Sequence, residues 1–288
     1  MNEAGRAALP KVVVALDGSP AAATALPIAR RVAAQIGASV EILHIAPRQT
    51  ADPNLRRRLH VGPEDLEAVQ VRSRFGEPAA QILQAAAEPG VELVVLATHG
   101  RTLEPGRRLA RVAERVVAGA ERPVLLVRPE AARTQQIPTP LRRLLVPLDG
   151  TPSTAGALGP ATELASRLGA SIDLVYVAGP NQAAPDEPGS LGVPCYVDQA
   201  HHEWPHWAAE VVDRLCRGVA GCPSQVPVRM FLAQGEIGEQ ITRFAAEHGD
   251  DAIVLVRRSR LQAGRARVLR AVLDQAPCPI LLVGGPNT

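Results

Sequence analysis

Aromatic residues make up only 2% of this 288-residue chain: three Phe, two Tyr and two Trp. A stacking platform for single-stranded nucleic acid needs more rings than that, so such a partner is not expected. Charge of one sign is equally scarce. The 31 Lys and Arg against 29 Asp and Glu leave a formal net charge of +2, which gives no electrostatic case for DNA or RNA. Lysine is almost absent, since Lys11 is the only one. A Schiff-base or phosphate-loop lysine is therefore excluded unless Lys11 supplies it. No apolar run approaches the roughly 18 residues that span a bilayer, so no membrane partner is expected. The opening MNEAGRAALPK has no apolar core of the secretory kind. Cysteine is confined to Cys195, Cys216, Cys222 and Cys278, all in the second half and without CxxC spacing. Cys278, in APCPILLV, reads as a small buried hydrophobe, and Cys216 and Cys222 as thiols of a reduced compartment. The expectation is a soluble cytoplasmic protein.

What is present is an ordinary globular balance, 46% apolar and 21% charged, at a length that suggests two domains. An internal repeat gives that suggestion substance. VVVALDGSPAAATALPIARRVAAQIGASVEILHIAP, from Val12, matches LLVPLDGTPSTAGALGPATELASRLGASIDLVYVAGP, from Leu144, at a constant offset of 132. Asp17 pairs with Asp149 and Gly37 with Gly169. Further on Gly76 pairs with Gly235 at offset 159, so the second copy carries 27 extra residues between its second and third strands. Near the ends Pro123 pairs with Pro279 at offset 156, so three residues are lost from the last loop. The expected domains are 1–132 and 133–288, with the polar, Pro-containing EAARTQQIPTP as the linker between the copies.

Each copy alternates strand and helix. In the first, apolar runs predict strands at Val12 to Leu16, Val40 to Ala46, Val71 to Phe75, Leu93 to Ala97 and Val124 to Val127. Glu41 and His44 interrupt the second. Ser19-Pro20 suits the start of a helix that Gly37 ends, and a basic amphipathic helix is predicted over about Pro105 to Ala118. The fold class is α/β: two tandem doubly wound domains, each a five-stranded parallel sheet flanked by helices. Ligands of such sheets bind beyond the carboxyl ends of strands, where strand order reverses. Two loops there stand out. One is ALDGS, from Ala15, with Asp17 placed to accept hydrogen bonds; the other is ATHGRTLEPGRRLARVAERV, from Ala97. A glycine-containing loop leading into a helix is a general anion cradle, because the first helical amides lack internal partners.

VVVALDGS, GASVEILHIAP, the fourth-strand loop and VAERVVAGAERPVLLVRP, in that order and twice over, resemble a tandem universal stress protein over nearly the whole chain. The resemblance implies an adenine-nucleotide α-hydrolase-like fold and a non-enzymatic stress-response protein. It also implies that the two domains pair, each covering the other's apolar terminal strand, with a homodimer left open. The family's ATP-binding branch uses Gly, two residues, Gly, nine residues, then Gly-Ser or Gly-Thr. Carried over, those positions are Ala97, Gly100, Ala110 and Arg111 in the first copy, and Val256, Ser259, Ala266 and Arg267 in the second. Only Gly100 survives. Asp17 and Asp149 match the adenosine-side aspartate, and Ile45 and Val177 match a residue lining the adenine pocket. The implied ATP site is therefore degenerate and weak in the first domain and nearly lost in the second. The alternative is an interaction scaffold whose pocket is empty or holds another small ligand.

The arginines around these loops admit two readings. Arg101, Arg107, Arg108, Arg111 and Arg115, with Arg257, Arg258, Arg260, Arg265, Arg267 and Arg270 in the second copy, could hold phosphate in place of lost backbone contacts. The plainer expectation is a solvated helix face with Leu109, Val112, Ala113 and Val116 opposite. HHEWPHW, His201 to Trp207, invites a metal, but Pro205 breaks the helix that would align its histidines, and no metal is expected. His99 has no nucleophile or paired carboxylate beside it in sequence, so it is expected to pack its loop. No Walker loop, GxGxxG or Gly-x-Ser-x-Gly elbow occurs, and no catalytic set is identified.

Overall fold

The repeat in the sequence is matched strand for strand in a computed structural model, which describes residues 9–46, 54–60, 62, 69–100, 109–134, 140–178, 226–257 and 263–284. The chain divides into two units, Met1–Pro140 and Leu141–Thr288. Unit one contains β1 (Lys11–Ala15), β2 (Ser39–Ala46), β3 (Val69–Phe75), β4 (Val91–Ala97) and β5 (Val124–Val127), all parallel and ordered β3-β2-β1-β4-β5. Unit two contains β6 (Arg143–Leu148), β7 (Ser171–Ala178), β8 (Val228–Gln234), β9 (Ala252–Arg257) and β10 (Ile280–Gly284), again parallel and ordered β8-β7-β6-β9-β10. Lys11 and Arg143 open matching strands at offset 132, and Val69 and Val228 at offset 159. The extra residues of the second copy thus fall between β7 and β8, outside the described residues.

Strands sheathed by helices on both faces need apolar side chains on both faces. Val12, Val13 and Val14 of β1 are fully buried, as are Val94 and Val95 of β4 and Leu144, Leu145 and Val146 of β6. Four strands begin earlier than their apolar runs: β1 at Lys11, β2 at Ser39, β3 at Val69 and β4 at Val91. Backbone pairing there does not depend on apolar side chains; the Lys11 amide donates to the Gly90 carbonyl at 2.8 Å. The polar residues at these amino ends are used for ion pairs. Lys11 Nζ reaches Glu41 (3.1 Å) and Glu88 (3.4 Å), and Arg72 reaches Glu41 (2.6 Å) and Glu88 (2.9 Å). Arg74 also pairs with Glu88. Burial opposes ionisation of Glu88, but the hydrogen bond and charge of Arg72, with Arg74 and Lys11, hold its carboxyl below the usual range. Glu41, one of the two interruptions in β2, is explained by this network, and the chain's single lysine is spent on it.

Helices α1 (Pro20–Ala23), α2 (Ala25–Gln35), α3 (Leu55–Arg58), α4 (Pro78–Ala86), α5 (Arg111–Gly119) and α6 (Pro129–Thr134) belong to unit one. The single helix expected after Ser19 is broken at Thr24. Pro27 has no amide to give the Ala23 carbonyl, and Thr24 Oγ1 donates to the Ala21 carbonyl at 2.7 Å. The basic helix does not begin at Pro105. Positions 105–108 lie outside the described residues, and Ala110 is extended (φ −64°, ψ 149°), so α5 starts at Arg111. Unit two carries α7 (Pro152–Ala155), α8 (Leu158–Leu168), α9 (Ile237–His248) and α10 (Ala263–Gln275). α9 and α10 touch at Gly238, where a Cβ would lie 2.3 Å from the Cβ of Ala271, so only glycine fits.

Candidate functional site

In unit one the order β3-β2-β1-β4-β5 reverses direction between β1 and β4, which opens a crevice at their carboxyl ends. The segments that follow these two strands meet there. Asp17, two residues beyond Ala15 at the end of β1, lies against Gly100, three residues beyond Ala97 at the end of β4. A Cβ on Gly100 would stand 2.1 Å from Asp17 Oδ2 and 2.9 Å from its Cγ. Glycine is therefore required for the carboxylate to rest where it does. Asp17 Oδ1 accepts from the Ser19 amide at 2.8 Å, and Ser19 Oγ in turn caps α1 by accepting from the Ala22 amide at 3.1 Å. The carboxylate is thus oriented by the same turn that launches the helix.

The fourth-strand loop is pinned at its base. The Thr98 amide donates to the Val127 carbonyl, and the Ala110 amide donates to the Thr98 carbonyl, each at 2.8 Å. This clasp ties Ala110 to Thr98, the residue after β4, and sets the first turn of α5 at the carboxyl edge of the sheet. No side chain caps α5 at Ala110. The amino end of α5 therefore sits at the carboxyl edge of the sheet, where a helix dipole favours an anion. Arg111 and Arg115 are exposed on α5, while Ala113 and Val116 are buried and Val112 and Leu109 half-buried. Arg115 Nη1 donates to Glu77 at 2.7 Å, an exposed pair between α5 and α4. Ile45 is half-buried on β2, two positions beyond Leu43, the register partner of Ala15, and so stands level with Asp17. Asp17, Gly100, Ala15, Ala97, Ala110 and Ile45 thus occupy one end of the sheet. Arg101, Arg107 and Arg108 lie outside the described residues.

Two histidines frame this edge. His44, the second interruption in β2, is buried, with Nδ1 2.9 Å from the Leu16 carbonyl and Nε2 3.0 Å from Arg58 Nη2. A guanidinium can only donate, so Nε2 accepts and the ring proton sits on Nδ1, donating to Leu16. His44 therefore anchors the residue immediately before Asp17. The sequence offers only a polar residue in an apolar strand as a signal for this role. His99 stands between β4 and α6, with Nδ1 3.2 Å from Thr98 Oγ1 and Nε2 3.1 Å from Glu130, a carboxylate 31 positions on in sequence; the loop it is expected to pack, 101–108, lies outside the described residues.

Unit two differs at the equivalent positions. Asp149 Oδ1 accepts from the Thr151 amide (3.0 Å), Thr151 Oγ1 (2.6 Å) and Thr154 Oγ1 (2.7 Å). Unit one has Ala22 where Thr154 stands, so this extra hydroxyl is particular to unit two. Tyr176 replaces His44 and is buried; burial and then the charge of Asp149 push its hydroxyl up. Val177, in the place of Ile45, is 1% exposed. Arg257 replaces Thr98 at the end of β9, and its Nη1 is buried without a hydrogen-bond partner among the described residues. Burial pulls its guanidinium down. Arg267 and Arg270 are exposed; Ser259 and the HHEWPHW segment lie outside the described residues, as does the side chain of Ala266. Cys278 is buried with a free thiol that burial pushes up, as a small hydrophobe would be. Among the described residues no group of three or more His, Cys, Asp or Glu could hold a metal ion, and no helix is long and apolar enough to cross a membrane.

Comparison with known proteins matches the model of the universal stress protein family to residues 58–128 and 140–284. No curated protein matches the chain. Among solved structures, a universal stress protein from Archaeoglobus fulgidus DSM 4304 is 13% identical with a TM-score of 0.60, over 95% of this chain and 98% of its own. A putative universal stress protein from Pseudomonas aeruginosa UCBPP-PA14 is 16% identical with a TM-score of 0.61, over 96% of this chain and 94% of its own. A functionally unknown protein from Pseudomonas aeruginosa PAO1 is 15% identical with a TM-score of 0.61, over 96% and 93%. At these identities the likeness concerns the fold.

Proposed function

This chain belongs to the universal stress protein family, and from that premise we propose that it is a non-enzymatic cytoplasmic regulator of the stress response whose first unit binds an adenine nucleotide weakly. The observation that carries the reading is the contact between Asp17 and Gly100 across the crevice between β1 and β4. Asp17 would take the adenosine side and Ile45 would line the base pocket. The positive end of the α5 dipole would face phosphate, with Gly100 giving one close backbone approach. Ala97 and Ala110 each add a methyl where phosphate would pass, and Arg111 stands in place of a hydroxyl. If these changes cost roughly 3 to 4 kcal/mol, affinity falls several hundredfold, from micromolar to nearly millimolar. Calorimetric titration of the full chain with ATP should then give weak binding that Asp17→Ala removes; tight binding indifferent to Asp17→Ala would reject the reading.

In unit two the capture of Asp149 by two threonine hydroxyls favours a second reading, a scaffold unit with little or no nucleotide affinity. Domain pairing belongs to the same proposal. β5 pairs with β4 alone in its unit, and β10 with β9 alone in its own. Apolar edge strands invite association unless covered, so each unit's edge is taken to be covered by the other or by a second chain. Small-angle scattering that showed two independently tumbling units would count against this.

A further inference from the structure

Unit two carries a buried carboxylate that unit one lacks. Asp250 lies between Gly249, which ends α9, and the start of β9; it is 5% exposed, and neither carboxylate oxygen has a hydrogen-bond partner among the described residues. Its neighbour Asp251 is placed differently, with Oδ2 accepting from the amides of Arg142 (2.6 Å) and Arg143 (2.9 Å). The charged groups that face Asp250 come from the amino ends of the surrounding strands: Asp173 of β7, Arg143 of β6, Asp251 before β9 and Arg229 of β8. The thiol of Cys278, ahead of β10, feels its charge. Arg229 is already committed. Its Nε and Nη2 donate to the two oxygens of Asp173 at 2.9 and 2.7 Å, and Asp173 is wholly buried. An ionised Asp250 would add a third carboxylate charge, beside Asp173 and Asp251, to a dry site whose guanidinium fork is taken.

At offset 159 the unit-one counterpart is Val91, 1% exposed. The same place in the fold therefore takes an apolar side chain without difficulty, and the charge is not needed for folding. Asp250 also adjoins the shortest ladder of unit two. β6 and β9 share only the register pairs Leu144↔Ala252 and Leu145↔Ile253, whereas β1 and β4 share four in unit one. We propose that Asp250 is a pH-responsive element of unit two: protonated, it leaves the β6–β9 seam closed; ionised, its buried charge loosens that seam.

The direction follows from linkage. Burial first, then the charges of Asp173 and Asp251, push the Asp250 carboxyl up to about 7, against partial relief from Arg143 and Arg229. In an unfolded chain the same group releases its proton near 3.8. Between about 4 and 7 the folded form binds more protons than the unfolded one. The stability this confers is complete below that window, falls as pH rises through it, and is flat above it.

Hydrogen exchange of the full chain, corrected for the intrinsic effect of pH on exchange rate, reads the seam directly. Between pH 5 and pH 7 the protection of the β6–β9 amides should fall by up to tenfold per pH unit and level off above pH 7, while the β1–β4 amides hold theirs. Asp250→Asn should flatten the β6–β9 profile, and so should Asp250→Val, which copies unit one and serves should Asp250→Asn fail to fold. A β6–β9 profile parallel to that of β1–β4, or an unchanged slope in the folded variants, would overturn the proposal.

Discussion

Gly100→Ala tests the geometry of the crevice with a single methyl. The new Cβ would stand 2.1 Å from Asp17 Oδ2, whereas non-bonded atoms rest at about 3.5 Å, so carboxylate and loop must part by roughly 1.4 Å. The loop is clasped at Thr98 and Ala110, which leaves the side chain of Asp17 as the part able to move. Moving it breaks the 2.8 Å bond from the Ser19 amide to Oδ1. A hydrogen bond to a charged acceptor contributes about 1.5 to 3 kcal/mol. Asp17 is half-buried, so water replaces part of the loss and the lower end of that range is expected. Urea denaturation of the full chain, read by hydrogen exchange in peptides of unit one, measures it. Asp17→Ala removes the colliding group, so Gly100→Ala made in that background should cost little, and the double-mutant cycle should show coupling of about 1.5 kcal/mol. Two costs that add to within about 0.5 kcal/mol would refute the contact.

Arg229→Met would leave Asp173 buried without its fork; because Arg229 itself is half exposed, the lower end of the buried-pair range, about 3 kcal/mol, is expected in urea denaturation read by hydrogen exchange in peptides of unit two. A cost below 1 kcal/mol would mean that another cation compensates. Ala110 has the extended backbone of an N-cap but no hydroxyl, so Ala110→Ser should stabilise α5 by about 1 kcal/mol, seen as slower exchange of its first-turn amides. No gain there would show those amides to be satisfied already.

The sheet and its duplication are legible in the residues because continuous apolar strands, capped helix starts and a repeat at fixed offset all agree. The polar residues within strands are harder to read. Glu41 and His44 register only as interruptions, since their partners Lys11, Arg72 and Arg58 lie well away in sequence and are brought near by strand pairing and a short helix. Asp173 and Asp250 show the same limit in unit two, where nothing local distinguishes the paired carboxylate from the unpaired one. The start of α5 misleads for another reason. Arginine-rich amphipathic spacing runs back through Arg107, but the backbone bond from Ala110 to Thr98 fixes an extended residue there, and periodicity carries no trace of it. The meeting of Asp17 with Gly100 depends on β1 lying beside β4, a fact of topology that the family resemblance implies and spacing alone does not.

The central question is whether the crevice of unit one is a nucleotide site weakened by three side chains. Titration of the full chain with ATP, compared with Ala97→Gly/Ala110→Gly/Arg111→Ser together, decides it. One weak site per chain that the triple substitution tightens by at least tenfold, and that Asp17→Ala abolishes in both backgrounds, is the predicted result. Binding already tight in the unaltered chain and weakened by the triple substitution, or no binding in either protein, would contradict it.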